Sequence, residues 1–168
     1  MTVAVGEADL HEAINKIWDE SGLDTEFKNL WKRDVRDSQE FPTLHDQQAG
    51  PDQPFPYCVY EIRAGVTVSR MTSSSKTGRR EIRDNIALFR IHAKEQDKTS
   101  AKKIASDLLD SVLQVYGGHP TVSPRSLDLN YGNFLLAQYQ NDYGIRTGAE
   151  EYQWILEYVM RLDVPVAA

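Results

Sequence analysis

The chain has 168 residues, a formal net charge of −6, 40% hydrophobic residues and 26% charged residues. This composition is ordinary for a globular protein, and the length is enough for one domain with a real core, so we expect a single domain over residues 1–168. No apolar run approaches the roughly 18 residues that a membrane span needs, and the first residues show no secretory signal. The acidic charge argues against a dedicated nucleic-acid binder, and the lone Cys58 excludes an internal disulfide and a cysteine-built zinc site.

The first predicted element is a helix from Asp9 to Ser21. Asp9 and Glu12 stand at capping-box spacing, and Gly22 is a suitable stop. The apolar residues of this segment recur at three- and four-residue spacing, which predicts one buried stripe: Leu10, Ala13, Ile14, Ile17 and Trp18.

Two less regular segments follow. Phe27, Leu30 and Trp31 fit either a helical turn or an edge strand, because periodicity does not decide over so few residues. The stretch 34–55 is polar and contains Pro42, Pro51 and Pro54. We interpret it as a long surface loop and not as a linker, because too little chain precedes it to form a separate domain.

Next comes a predicted strand–hairpin–strand unit. A strand over Pro56–Ile62 leads into a long hairpin over 63–80, whose Ser/Thr/Gly-rich tip we expect to be mobile. The second strand, Ile82–Lys94, has two distinct faces, because side chains alternate along a strand. Its odd-numbered face is small and apolar, suited to receive a helix. Its even-numbered face turns from apolar to charged, as a face only partly covered would.

The second predicted helix runs from Ser100 to Tyr116. Thr99 or Ser100 is placed to cap it, and Gly117 stands where a left-handed residue ends a helix. Its apolar stripe is Ala101, Ile104, Ala105, Leu108, Val112 and Val115.

Strand patterns occupy the rest of the chain, over 126–129, 133–140 and 152–164, with a loop of glycine and polar residues over 141–151. The order of elements predicts an α+β fold. We expect a mostly antiparallel or mixed sheet of four to five strands, with two helices packed on one face.

The residues that could carry chemistry are scattered. The four histidines lie on different elements, and none stands at a metal-ligand spacing with another ligand. Glu26-Phe27-Lys28 after Asp24 superficially matches the E-x-K motif of metal-dependent nucleases, but it does not lie on a predicted central strand. We therefore expect no catalytic residue, no metal site and no cofactor, and we expect the protein not to be an enzyme.

The layout as a whole resembles that of tailed-bacteriophage tail terminator (tail completion) proteins and their head–tail neck relatives. The resemblance covers nearly the whole chain and rests on its sequence of elements. These are an N-terminal amphipathic helix, a Pro-rich loop, the strand FPYCVYEI, a strand ending in IHAKE, the helix TSAKKIASDLLDSVL and the closing strand YQWILEYVMRLDV. The loop over 34–55 and the hairpin over 63–80 depart from the compact family pattern.

The resemblance implies a structural virion protein of the phage tail, made in the host cytoplasm. It implies a homohexameric ring at the head-proximal end of the tail tube, where it ends tube growth and joins the tail to the head–tail connector or stopper. The implied partners are other copies of the chain, the tube protein and the connector. It implies no membrane partner, and DNA only as passing cargo in the lumen.

The residues suggest where such contacts lie. The hairpin is the most basic region of an acidic chain, and the partly covered strand face adds apolar residues. The candidate assembly contacts are Arg63, Arg70, Lys76, Arg79, Arg80, Arg83, Ile86, Leu88 and Arg90. Three alternatives stay open: a hairpin that is only a solvated tip, a neck or head-completion protein on the portal side, and a small nucleic-acid-binding module or nuclease.

Overall fold

The computed structural model describes residues 2–31, 41–72, 79–119 and 133–166. These residues form helices and a mixed sheet, which confirms the predicted α+β class. The elements in chain order are helices α1 (Thr2–Glu20) and α2 (Leu23–Lys28), strands β1 (Leu44–Asp46), β2 (Tyr57–Thr72) and β3 (Arg79–Lys94), helix α3 (Ala101–Tyr116), and strands β4 (Asn133–Arg146) and β5 (Glu151–Val166).

The five described strands form one sheet in the order β1-β2-β3-β5-β4. The short strand β1 runs parallel to β2, and every other neighbouring pair is antiparallel. β3 and β5 are paired along their whole length, from Arg79 opposite Val166 to Lys94 opposite Glu151. The sheet therefore has two long central strands, a three-residue edge at β1 and a long edge at β4.

Both long helices contribute to the core on one face of the sheet. Helix α1 contacts β2 and β5, and helix α3 contacts β3 and β5. The predicted helix-facing residues of β3 are confirmed, since Asn85 is 5% exposed and the apolar ones are fully buried. The strand residues in this core are Leu44, Cys58, Tyr60, Ile62, Ala87, Phe89, Ile91, Ala93, Leu156, Tyr158, Met160 and Leu162.

Helix α1 buries the predicted stripe, but it begins at Thr2, so the predicted capping box at Asp9 is wrong. The helix therefore begins about two turns before the first residue of the stripe. The indole of Trp18 donates to the Thr43 hydroxyl over 2.9 Å, which ties the end of α1 to the segment before β1. Gly22 follows at φ +85° and starts α2, so the ambiguous segment around Phe27 is helical.

Helix α3 follows the sequence closely. The hydroxyl of Ser100 accepts a hydrogen bond from the backbone N–H of Lys103, so Ser100 is the cap, and Gly117 follows the helix at φ +73°. The Tyr116 hydroxyl donates to the carbonyl of Ile14 over 2.8 Å. This buried bond links the end of α3 to the middle of α1, across a long stretch of sequence.

The strands are longer than the sequence indicates. The predicted loop over 141–151 is wrong, because β4 continues to Arg146, β5 begins at Glu151, and only a short turn separates them. Likewise β1 lies inside the predicted loop over 34–55. Polar residues pair here because an adjacent long strand supplies backbone partners, which the side-chain pattern does not record. The predicted strand over 126–129 lies outside the described residues.

The predicted basic hairpin is built from two of these long strands. β2 runs to Thr72 and β3 starts at Arg79, and these two residues face each other in the register. Two irregularities interrupt the pairing, between Arg63 and Val66 and between Thr67 and Ser69. The tip, 73–78, lies outside the described residues. No helix among the described residues is long and apolar enough to cross a membrane.

Candidate assembly surface

We call the sheet face opposite α1 and α3 the open face, because none of the described helices packs on it. The alternation of side chains places a defined set of residues there. They are Tyr57, Val59, Glu61 and Arg63 of β2, Asp84, Ile86, Leu88, Arg90 and His92 of β3, Gln153, Ile155, Glu157, Val159 and Arg161 of β5, and Asn141, Tyr143 and Ile145 of β4.

The centre of the open face is apolar. Val59 is 4% exposed, Leu88 6% and Ile155 7%, although no described helix covers them. In the register, Arg90 lies between Val59 and Ile155, and Leu88 lies between Glu61 and Glu157. The stems of these long charged side chains cover the apolar residues while their head groups reach water. The face is thus an apolar layer beneath a thin charged one.

Ion pairs cross the same face. The Arg90 guanidinium lies 3.2 Å from the carboxylate of Glu61 on the neighbouring strand. Arg161 of β5 donates two hydrogen bonds to Asp84 of β3, over 2.8 and 3.0 Å, a bidentate geometry that fixes both side chains. These pairs leave the described part of the face close to electrically neutral.

An aromatic cluster closes one end of the open face. The rings of Tyr57 and His92 stack 4.6 Å apart at 7°, while His45 and Phe55 approach Tyr57 edge-on. Burial, with a smaller contribution from Arg90, lowers the pKa of His92 to about 4, so its imidazole is neutral at pH 7. Burial, together with the charge of Glu151, raises the pKa of Tyr57. The cluster is a packed aromatic end to the sheet.

The predicted contact residues divide between several places. Arg63, Ile86, Leu88 and Arg90 share the open face, as one candidate surface requires. Arg83 lies on the opposite face, where its guanidinium contacts Glu81 over 2.8 Å and its side chain is only 14% exposed.

The remaining contact residues belong to the far end of the hairpin. In the register, Arg70 is opposite Glu81, Arg80 opposite Met71 and Arg79 opposite Thr72. Lys76 lies outside the described residues. The structure therefore does not gather all the basic residues of the sequence into one patch.

Two residues of this surface were not predicted from the sequence. Tyr143 and Ile145 of β4 are 45% and 46% exposed, and they are two of the three large apolar residues exposed in the described part of the chain. The third is Leu30, at 36%. The alternation Tyr143-Gly144-Ile145-Arg146 was a strand signal, but the surrounding glycines and polar residues are typical of a loop.

The nuclease-like triplet lies on a helix and not on a central strand. Asp24 and Glu26 lie on the short helix α2, where Lys28 pairs with Asp24 over 3.0 Å and Glu26 accepts a hydrogen bond from the Ser111 hydroxyl. No group of three or more potential metal ligands occurs among the residues described.

No protein-family model and no curated protein matches this sequence. A distantly similar solved structure can be described. It is a chain of the virion of a native gene transfer agent particle, 17% identical, with a TM-score of 0.42 and coverage of 72% of this chain and 78% of that chain. The function proposed below therefore rests on the chain's own residues.

Proposed function

We propose that this protein is a structural virion protein that forms a homohexameric ring on the head-proximal end of a phage tail tube. There it ends tube polymerisation and joins the tail to the head connector. Its partners are other copies of itself, the tube protein and the connector, and DNA passes through the ring as cargo. We further propose that it has no catalytic activity.

The observation that carries this proposal is the open face. An apolar layer containing Val59, Leu88 and Ile155 spans three strands beneath the charged side chains of this face, and no described helix packs over it. Broad surfaces with an apolar centre and a polar margin are typical of contacts between subunits. The layout resemblance to tail terminators supplies the kind of assembly, and the open face supplies a surface on which to build it.

Charge supports the same role. The chain has a net charge of −6, which suits a lumen through which DNA slides without binding. On the open face, Glu61 and Asp84 neutralise Arg90 and Arg161. Paired charges of this kind orient a contact and select partners more than they strengthen it.

The direct test is the mass of the purified protein by light scattering, alone and with isolated tail tubes, together with negative-stain images. We expect six-membered rings on tube ends and tails of normal length. Rings on portal vertices in place of tubes would identify a neck protein. A chain that binds neither, even when both components are present, would contradict the proposal.

A variant separates assembly from folding. Charge reversal at Arg70, Arg79 and Arg80 is expected to weaken ring formation or tube docking, and more so at low salt, where surface charges are least screened. Charge reversal at Lys102, an exposed residue at the start of α3, is the matched control. If the triple variant keeps the wild-type oligomer mass and tail length with an intact fold, the hairpin is only a solvated tip.

The other function class predicts different behaviour. A nucleic-acid-binding module would bind DNA with an affinity that falls steeply with salt. A nuclease would gain thermal stability from a divalent metal. We expect neither response.

A further inference from the structure

The outer edge of β4 is an open strand edge. At Tyr139 this edge is occupied, because the backbone N–H of Tyr139 donates to the carbonyl of Gly118 over 3.1 Å. From Asn141 to Arg146, no described residue pairs with it. The open stretch Asn141–Arg146 is about as long as a usual strand of about 5–6 residues, so a whole strand can pair with it. Long open edges readily recruit another strand, and natural proteins normally protect them.

The pairing with β5 shows which backbone groups point outward. The N–H of Thr147 donates to the carbonyl of Glu151. Every second pair from there into the sheet therefore also exchanges hydrogen bonds between β4 and β5, which means Ile145 with Gln153 and Tyr143 with Ile155. The N–H and C=O groups of Asp142, Gly144 and Arg146 therefore point to the outer edge. The side chains of Tyr143 and Ile145, on the alternate residues, stand on the open face.

This edge is complementary to itself. In an antiparallel pair of two β4 edges centred on Gly144, Asp142 of one copy faces Arg146 of the other, twice by symmetry. Tyr143 of one copy faces Ile145 of the other, also twice. Opposite charges, and an aromatic residue facing a β-branched one, are favourable cross-strand pairs. Centring the pair on Asp142 or on Arg146 would instead place like charges opposite each other.

The surroundings fit the same pairing. A cavity of about 390 Å³ lies between α3 and this end of β4, and its lining includes the carboxylates of Asp110 and Asp142. Asp142 is held in place because it accepts hydrogen bonds from the Tyr139 hydroxyl and, over 2.9 Å, from the Trp154 indole. In such a pair, Arg146 of the second copy would approach the fixed carboxylate of Asp142 and the nearby residue Asp110.

From this self-complementarity we infer that the free protein forms a two-fold dimer through its β4 edges, joining two sheets into one continuous sheet. The contact is isologous, with the same residues on both sides. This dimer is a different contact from the ring proposed above and does not depend on it. It uses the edge of β4, and it involves neither the ion pairs of the open face nor the basic hairpin.

Cross-linking tests the register directly. In the inferred pair, residues 143 and 145 of opposite copies form a non-hydrogen-bonded pair with Cα atoms about 4.5 Å apart, within the range of a disulfide. Protein with Tyr143→Cys is mixed with protein with Ile145→Cys and oxidised. We expect the mixed disulfide to dominate, since two copies of one variant place their cysteines diagonally, about 7–8 Å apart. Cys58 is fully buried and stays out of the exchange.

The control for this experiment is Leu30→Cys, which replaces the other exposed large apolar residue and lies on α2. A mixed disulfide no more abundant than the Leu30→Cys disulfide overturns the inference, whatever the mass of the protein in solution. A dominant mixed disulfide that also forms in protein unable to make rings supports the dimer and leaves the ring to its own test.

A second, independent test changes the charges at Asp142 and Arg146 and measures the dimer dissociation constant by sedimentation. In a dimer of two Arg146→Glu chains, each new Glu lies opposite Asp142 of the other copy. In a dimer of two Asp142→Lys chains, each new Lys lies opposite Arg146 of the other copy. We expect each variant to raise the dimer dissociation constant at least about ten-fold, because two favourable pairs become unfavourable. Mixing the two variants restores opposite charges at both pairs and should restore dimers. Circular dichroism confirms that each variant is folded, and dimerisation unchanged by the single substitutions would refute the inferred register.

Discussion

Leu108→Ala tests the packing of α3 on the sheet. Leu108 is 2% exposed and belongs to the core between the helix and the central strands. Removing three buried carbons costs about 2.4 kcal/mol at about 0.8 kcal/mol each. The cavity left behind adds to this loss, which brings the expected destabilisation to about 2–5 kcal/mol.

Urea denaturation measures this loss. With a slope of about 2 kcal/mol per molar, the unfolding midpoint should fall by about 1–2.5 M. The melting temperature should fall by about 5–15 °C for a chain of this size. Leu30→Ala, at a residue that is 36% exposed, is the control and should cost clearly less than Leu108→Ala, because part of its side chain already lies in water and little cavity is left behind. A Leu108→Ala loss as small as the control, with an unchanged slope, would refute the placement of α3.

Three further predictions concern other parts of the molecule. Gly118→Ala should lower the melting temperature by several degrees. Gly118 has φ +75°, and an added Cβ would lie 2.3 Å from the Ala137 carbonyl oxygen. The control is Gly50→Ala, where an added Cβ would have no atom within 4 Å. His92 has a pKa of about 4 in the folded state and 6.5 as its ordinary value, so the unfolded state binds more protons between these values. Stability should therefore fall as the pH drops from about 6.5 to about 4, and His92→Gln should flatten this part of the curve. Purified protein should not hydrolyse DNA with any divalent metal, and hydrolysis abolished by one carboxylate substitution would contradict this.

The amphipathic patterns were sufficient to predict the two long helices and the central strands. The stripe from Leu10 to Trp18, the Ser100 cap and the alternation around Phe89 are local features, and each reports burial on one side of its own element. They also predicted that two helices share one face of the sheet. The start of α1 was predicted too late, because residues upstream of the stripe carry no comparable signal.

Only the tertiary structure decided the edges of the sheet. β1 and the far half of β4 are strands because β2 and β5 offer them backbone partners, whereas their own residues are typical of loops. The tertiary structure also decided the ion-pair partner of each charged side chain. Arg83 pairs with Glu81, and Arg90 pairs with Glu61 of the neighbouring strand, although the sequence presents both arginines only as candidate assembly contacts. Side-chain periodicity records which side of an element is buried, but strand neighbours and ion-pair partners come from distant parts of the chain, so folding alone brings them together.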